Sequence, residues 1–390
     1  MSIAEEPTTE YRAPLKAPFP YAGGKSRVAA EVWKRFGDVP NYVEPFAGSL
    51  AVLLARPHTP RTETCNDADG MVANFWRAVQ ADPDAVAEHA DWIVSELDLH
   101  ARHLWLVNTG RERVARLMVD PEYYDPQVAG WWVWGLCQWI GSGWCSGKGP
   151  LRLPESGELN GVHKKLPHLG DAGTGVHKKL PHLGDAGRRV PRPALGVAQQ
   201  LPHLGDGGRG VHRGPGVSVQ KPAMVIGGGA GVHGFRFGET CEERAEGLRQ
   251  MMRGLRDRLR RVRVACGDWT RVTGESVTIK HGLTAVFLDP PYAHAERHNE
   301  TYAVETDCSA AVRRWAIENG DHPLYRIAYC GYEAPEMQFP DTWECFAWKA
   351  AGGYGSQGTG RGRENSARER IWFSPGCLKP GKGLQTALFD

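Results

Sequence analysis

The sequence predicts an α/β protein on a doubly wound, mostly parallel, Rossmann-like sheet, and three observations carry that expectation. An apolar run, Thr284-Ala285-Val286-Phe287-Leu288, reads as a buried parallel strand that stops on Asp289-Pro290-Pro291-Tyr292. A second run, Asn41-Tyr42-Val43-Glu44, meets Pro45 and then a glycine turn, Phe46-Ala47-Gly48-Ser49, before a helical segment. Two more strands end on acids, residues 62–66 at Asp67 and residues 261–266 just before Asp268. Acids and a glycine turn at the carboxyl ends of strands describe a ligand site along one sheet edge. Any one of them is also explained by a turn or a helix cap. The combination points to a site.

The remaining elements follow from local signals. After the glycine turn a helix is expected over residues 50–54. A helix after Asp67 runs through Asn74-Phe75-Trp76, and Pro83 suits the first turn of another, expected to continue through Asp91-Trp92-Ile93 and beyond. Residues 151–235 break this texture with Gly, Pro and His. There the stretch 161–173 recurs unchanged as 175–187, and Leu-Pro-His-Leu-Gly-Asp returns at 201–206. Glycine and proline in every unit exclude a helical heptad, and the scarcity of apolar side chains predicts an insert without a core of its own. The α/β texture then resumes. A long polar helix from Glu239 to about Arg260 leads into the strand at 261–266, and a helix over about 309–318 follows the Asp289 strand. Further strands are expected at 324–329, near 343–348 and at 369–373.

Composition narrows the function. The chain has 390 residues and a formal net charge of +2, so nucleic-acid contact would need a local basic patch rather than a global one. No apolar stretch approaches a membrane span, and the acidic start Met1-Ser2-Ile3-Ala4-Glu5-Glu6 lacks a signal-peptide core. The nine cysteines show no Cys-x-x-Cys pattern, which fits a reducing cytoplasm and neither a disulfide framework nor a zinc site. Six histidines fall in the repeat insert 161–215, but duplication of one motif inflates that count, and no metal is expected.

The Asp289 tetrapeptide carries the most specific chemistry. Proline cannot donate to a strand ladder, so the Asp289 carboxylate, the Pro290 carbonyl and the Tyr292 ring are presented at a strand end. Two acceptors and an aromatic face suit a flat ligand with an exocyclic amine, such as an extruded adenine or cytosine. Gly48 allows close backbone approach to a ligand, and Asp67 stands where doubly wound folds bind ribose hydroxyls. Phe19-Pro20-Tyr21-Ala22-Gly23-Gly24-Lys25-Ser26 superficially suggests a phosphate loop, but Phe19 stands where the Walker pattern needs glycine. A Gly-Gly turn followed by a cation could instead hold a carboxylate or line a cofactor pocket.

Taken together, Pro18 to Lys25, Tyr42 to Ser49, Asn66-Asp67 and Asp289-Pro290-Pro291-Tyr292 resemble the Dam-type family of S-adenosylmethionine-dependent DNA adenine-N6 methyltransferases. Order and spacing match over roughly residues 17–150 and 236–376. The resemblance implies that Tyr21 and Lys25 flank the methionine part of the cofactor. Phe46 and Gly48 would form its floor, Asp67 would hold its ribose, and Asp268 and Trp269 would sit at its adenine. It implies a catalytic domain from 17–110 and 236–376, a target-recognition region at 111–235 that contains the repeat insert 161–215, and tails at 1–16 and 377–390. Leu50 departs from the family's glycine motif, and the repeat insert is a larger departure. In such an enzyme Asp289 and the Pro290 carbonyl accept the two amine hydrogens, and Tyr292 stacks on the flipped base.

The partner expected is double-stranded DNA. Lys and Arg outnumber Asp across the insert, which suits phosphates. A cytoplasmic monomer with no membrane contact and no obligate protein partner is expected. N4-cytosine methylation and a non-catalytic DNA-binding descendant are the alternatives.

Overall fold

The computed structural model describes residues 15–21, 23–139, 144–145, 240–291, 308–334, 337–349 and 368–380. The repeat insert 161–215 and Tyr292 lie outside them, so the expectations placed there are not addressed by the fold. Strands β1 (Asn41–Glu44), β2 (Thr62–Asp67), β3 (Val262–Cys266), β4 (Thr284–Leu288), β5 (Tyr325–Tyr332), β6 (Glu344–Ala347) and β7 (Glu369–Phe373) form one seven-stranded sheet. Its order is β3-β2-β1-β4-β5-β7-β6. The first five strands in that order are mutually parallel, while β7 pairs antiparallel with both β5 and β6.

Strand order reverses between β1 and β4, and the register Asn41↔Thr284, Val43↔Val286 brings their carboxyl ends side by side. That reversal opens the crevice in which open α/β sheets bind ligands. Both faces of β1 are covered, as a central parallel strand requires. Tyr42 meets Trp33 and Phe36 of helix α1 (Ala29–Phe36), while Val43 joins Val286, Leu288, Ile327 and Val312 in a core on the other face. Asn41 Nδ2 donates to the carbonyls of Val277 and Thr278 and to Thr284 Oγ1, pinning the loop that delivers β4.

The glycine turn leads into the short helix α2 (Ala51–Leu54), one residue later than expected. Leu50 stands before it in the left-handed region at φ 52, although its side chain is fully buried. Asp69 caps α3 (Gly70–Ala81) by accepting from Met71 N, and Asp82 caps α4 (Pro83–Ala90) by accepting from Ala85 N. The expectation that the Pro83 helix continues through Asp91-Trp92-Ile93 is corrected: α4 ends at Ala90 and α5 (Glu96–Trp105) begins afresh. Ser95 caps α5 through Asp98 N, and Arg244 holds the Asp91 carboxylate and the Trp92 carbonyl outside either helix. A π-helical turn at Leu106–Gly110, α6 (Arg111–Val114) and α7 (Pro126–Gln138) complete this half.

Helix α7 packs against α3 and α4, so this part of the expected target-recognition region adjoins the sheet's helical layer. Trp132, Trp134, Trp139 and Trp144 are buried, and Trp144 Nε1 donates to the Trp132 carbonyl at 3.0 Å. Across the insert, α8 (Cys241–Leu259) starts from a capping box between Thr240 and Glu243 and buries Leu248, Met252, Leu255 and Leu259 along one stripe. Its Arg258 forms a bidentate pair with Glu63 of β2, at 2.6 and 2.9 Å, and Arg56 adds a third contact at 3.2 Å. α9 (Thr270–Thr273) follows β3, and α10 (Ser309–Asn319) packs on β5. Strand β5 runs past the expected end at Tyr329 because Tyr332 still pairs with Glu369 of β7. Among the described residues no helix is long and apolar enough to cross a membrane.

Leu50 sets two effects against each other. The left-handed conformation costs a non-glycine residue about 1–2 kcal/mol, while truncating a buried Leu to Ala costs about 2–5 kcal/mol. Both Leu50→Ala and Leu50→Gly should therefore destabilise the fold. The glycine variant should be the more stable of the two by about 1 kcal/mol, the reverse of the usual helix preference, because only glycine relieves the backbone. Equilibrium urea unfolding of both variants checks the order.

Candidate functional site

A cleft lies over the carboxyl ends of β1, β2 and β4. Each of its walls comes from a sequence feature that ends or bends an element. The lysine loop supplies Tyr21, Gly23, Gly24 and Lys25; the glycine turn supplies Phe46 and Gly48; the ends of β2 and β4 supply Asp67 and Asp289. Gly24 N donates to the Tyr21 carbonyl at 3.0 Å, and that turn delivers Lys25 just ahead of α1.

Gly48 has a double reason to be glycine. Its φ is +43, and a Cβ there would stand 2.7 Å from Cδ1 of Tyr21. The sequence suggested that glycine here admits a ligand; in the structure the close neighbour is the Tyr21 ring. The turn is also tied down from two sides. Gly48 N donates to Asp67 Oδ2 at 2.9 Å, and Trp76 Nε1 donates to the Gly48 carbonyl at 2.9 Å. Asp67 Oδ1 accepts from Asp69 N at 2.9 Å, so the carboxylate stands at the cleft edge in a fixed orientation.

Lys25 is 3 % exposed and its ammonium lies 2.8 Å from Asp289 Oδ2. It also donates to the Gly23 carbonyl at 2.6 Å. The carboxylate this cation holds is thus the chain's own. Burial pulls the Lys25 pKa down, but the charges of Asp289 and Glu369 outweigh it and leave it raised, so Lys25 stays protonated. Asp289 is the less buried partner, at 20 %. Pro290 is buried behind it, and Pro291 contributes to the cleft wall.

Two predicted residues stand apart from this group. Asp268 is exposed, and its Oδ1 accepts from Thr270 N at 2.9 Å, the role of a local turn cap. Trp269 is 8 % exposed and packs in the core with Val272 and edge-on against Trp315. Neither lines the cleft.

The structure adds Glu44 and Asp69, which the sequence reading did not single out as site residues. Glu44 lines the cleft at the end of β1, 3 % exposed, and accepts from the Tyr42 hydroxyl at 2.8 Å and from Leu53 N at 3.2 Å. The signal was present, since Glu44 is an acid ending a buried strand like Asp67 and Asp289. Burial pushes the Glu44 carboxyl up to about 8, against the hydrogen bonds from Tyr42 and Leu53. Burial, with the nearby charge of Asp69, likewise pushes Asp67 up to about 7. The cleft therefore gathers Glu44, Asp67, Asp69 and Asp289 around a single lysine, a setting that favours a ligand carrying positive charge.

Residues 21–107 match the family model described as D12 class N6 adenine-specific DNA methyltransferase. A domain of that class is therefore detected over the lysine loop, the glycine turn and Asp67, and the family is one of adenine-specific DNA methyltransferases. No curated protein matches the chain.

The raised carboxyls Glu44 and Asp67 make stability fall with pH, and Asp69, which burial also pushes up, adds in the same direction. Asp67 and Glu44 ordinarily titrate at 3.8 and 4.5, and at about 7 and about 8 in the fold. Between those limits the native state binds more protons than the unfolded chain, so their contribution is full below pH 4 and is lost as pH rises through 7 and 8. The double variant Glu44→Gln, Asp67→Asn should lose less stability than the parent between pH 5 and pH 8. Urea unfolding at each pH tests this, and an unchanged pH slope would discard the assignment of these two groups.

Proposed function

We propose that the protein transfers a methyl group from S-adenosylmethionine to the N6 amine of an adenine extruded from duplex DNA. The observation that carries this reading is the juxtaposition of Asp289 with the Gly48–Asp67 turn across the β1–β4 crevice, in a chain whose residues 21–107 match an N6-adenine methyltransferase family. The family description favours adenine over the N4 amine of cytosine.

The lining fits the cofactor. Its ribose hydroxyls are donors and Asp67 is an acceptor at the cleft edge; its sulfonium and ammonium are cationic and the cleft is rich in carboxyls. Tyr21 and Phe46 offer apolar surface beside the Gly48 turn. Its adenine end would extend past Asp67 toward β3, on which side Asp268 and Trp269 follow the strand. The bound cofactor supplies an electrophilic methyl group.

The chain's own residues prepare the acceptor. An aromatic amine is a weak nucleophile because its lone pair is delocalised into the ring. Asp289 and the Pro290 carbonyl accept its two hydrogens and favour a pyramidal nitrogen whose lone pair is directed at the methyl group. Lys25 pairs with Asp289 Oδ2 at 2.8 Å and so helps to hold the carboxylate in place at the strand end. As the methyl group passes from sulfur to nitrogen, its bond to sulfur would break to leave a neutral thioether, and the surplus amine proton would leave along the hydrogen bond to Asp289 and on to solvent. Tyr292 is assigned the stacking contact with the base. Double-stranded DNA is the substrate in this reading, with the region 111–235 assigned to target recognition.

Incubation with S-adenosylmethionine and duplex DNA, followed by nucleoside analysis, should yield N6-methyladenine. Asp289→Ala should abolish transfer while leaving cofactor affinity within about twofold, since it removes the amine's acceptor, although the contact with Lys25 is lost with it. Asp67→Ala should weaken cofactor binding by roughly ten- to a hundredfold, the equivalent of about 1.5–3 kcal/mol of lost hydrogen bonding to a charged group. Because ribose hydroxyls pair best with the ionised carboxylate, cofactor affinity should climb as pH rises through about 7 and then level off. Calorimetric titration follows both effects, and a pH-independent affinity would remove Asp67 from the site.

A further inference from the structure

We propose that Trp348 is a base-contacting residue of this site, its indole Nε1–H donating to a ring nitrogen of the extruded adenine while Asp289 accepts from the amine. The proposal rests on the adenine-methylation reading above and names how that site recognises its base.

Topology puts Trp348 on the right edge. β7 is antiparallel to both β5 and β6, so β6 runs parallel to β5 and β4. Its carboxyl end, where Trp348 follows Ala347, therefore lies along the same edge as Asp289. Trp348 N donates to the carbonyl of Glu369, which opens β7 at that edge. The Lys25 ammonium stands 5.8 Å from the centre of the Trp348 ring and 2.8 Å from Asp289 Oδ2. Trp348 is not among the residues lining the cleft assigned to the cofactor. It lies on the β5–β7–β6 side of Asp289, away from the Gly48 turn.

Chemistry supplies the second half. The indole Nε1 is buried and has no hydrogen-bond partner among the described residues. Buried indole N–H groups ordinarily find an acceptor, so this one is a donor in want of a ligand atom. The amine of adenine is flanked by two ring acceptors, N1 on one side and N7 on the other. A site that reads this edge needs a donor beside an acceptor. Asp289 is the acceptor, and Lys25 is already engaged with Asp289 and the Gly23 carbonyl. Trp348 provides the donor, shielded from water at 7 % exposure, where a hydrogen bond discriminates most strongly.

The rival role for Trp348 is to steady Lys25 with its ring face alone. Trp348→Phe separates the two, because phenylalanine keeps a ring and lacks the N–H. In the full-length protein, Trp348→Phe should lower kcat/KM for methylation of adenine in duplex DNA by roughly three- to tenfold. Cofactor affinity should stay within about twofold, the pattern of an interaction made with the base alone. Duplexes carrying 1-deazaadenine or 7-deazaadenine at the target complete the cycle. One of the two should cost the wild-type enzyme the same factor and cost the variant nothing further, because the donor's partner is already gone. A variant as active as the wild type, or losses that multiply for both analogues, would overturn the proposal. Should the variant fail to fold in a thermal melt, wild-type indifference to both deaza substitutions would overturn it equally. If the wild-type protein binds S-adenosylmethionine yet forms no N6-methyladenine, the underlying functional reading falls, and this assignment with it.

Discussion

The pairing of β1 with β4 is the constraint on which the rest of this protein depends. The two strands come from opposite sides of the insert, and their register sets every distance that matters at the site. With Val43 opposite Val286, Pro45 emerges beside the Leu288–Asp289 step, so the glycine turn and the Asp289 carboxylate face one another over a single crevice. A slip by one residue would turn Tyr42 and Val43 to the wrong faces and separate these groups along the edge. Such a slip is opposed by burial on both sides, since all four residues of β1 and all five of β4 are buried. Asn41 opposes it again, through three hydrogen bonds into the chain that leads to β4.

That pairing also creates an electrostatic problem, and the lysine loop resolves part of it. Strand ends that present acids to a ligand present them to each other as well. Glu44, Asp67, Asp69 and Asp289 share the cleft, and burial with mutual repulsion holds Glu44 and Asp67 near neutrality. Lys25 is placed where it relieves Asp289 by direct contact, at 2.8 Å. The consequence is a division of labour among similar groups. Asp289 has a fixed cation beside it, whereas Glu44 and Asp67 are balanced so that an arriving cationic ligand favours their ionised forms. Positive charge in the ligand and release of protons from the cleft are therefore coupled.

Much of this was legible in the sequence because it depends on local punctuation. The strand that stops at Asp289 and the glycine turn after Glu44 announce themselves by prolines and glycine, and the helix expected from Glu239, which begins at Cys241, by its long polar run. What escaped depends on three-dimensional context. Glu44 carried the same strand-end signal as Asp67, but only its place in the wall of the cleft shows that it belongs to the site. Asp268 carried that signal too, yet its carboxylate is taken up by Thr270. The break between α4 and α5 was hidden because the residue that holds the intervening segment open, Arg244, lies beyond the insert. Trp348 gave no local sign at all, since its position follows from the antiparallel return of β7.

The way the chain leaves and re-enters this fold explains how so large an insert is compatible with it. α7 ends at Gln138 and α8 begins at Cys241, and both helices pack against α4. Exit and return are therefore on one helical layer, and no strand of the sheet has to part to admit the intervening residues. The return is secured by charge as well as packing: Arg253 of α8 meets Asp84 at the start of α4, and Arg258 reaches the buried Glu63 of β2. The first pair is exposed and contributes little, while Glu63 is 2 % exposed and would be costly to leave without its arginines. Glu63 belongs to the half before the insert and Arg258 to the half after it, so the pairing enforces closure of β3 onto β2 whatever the length of chain between them.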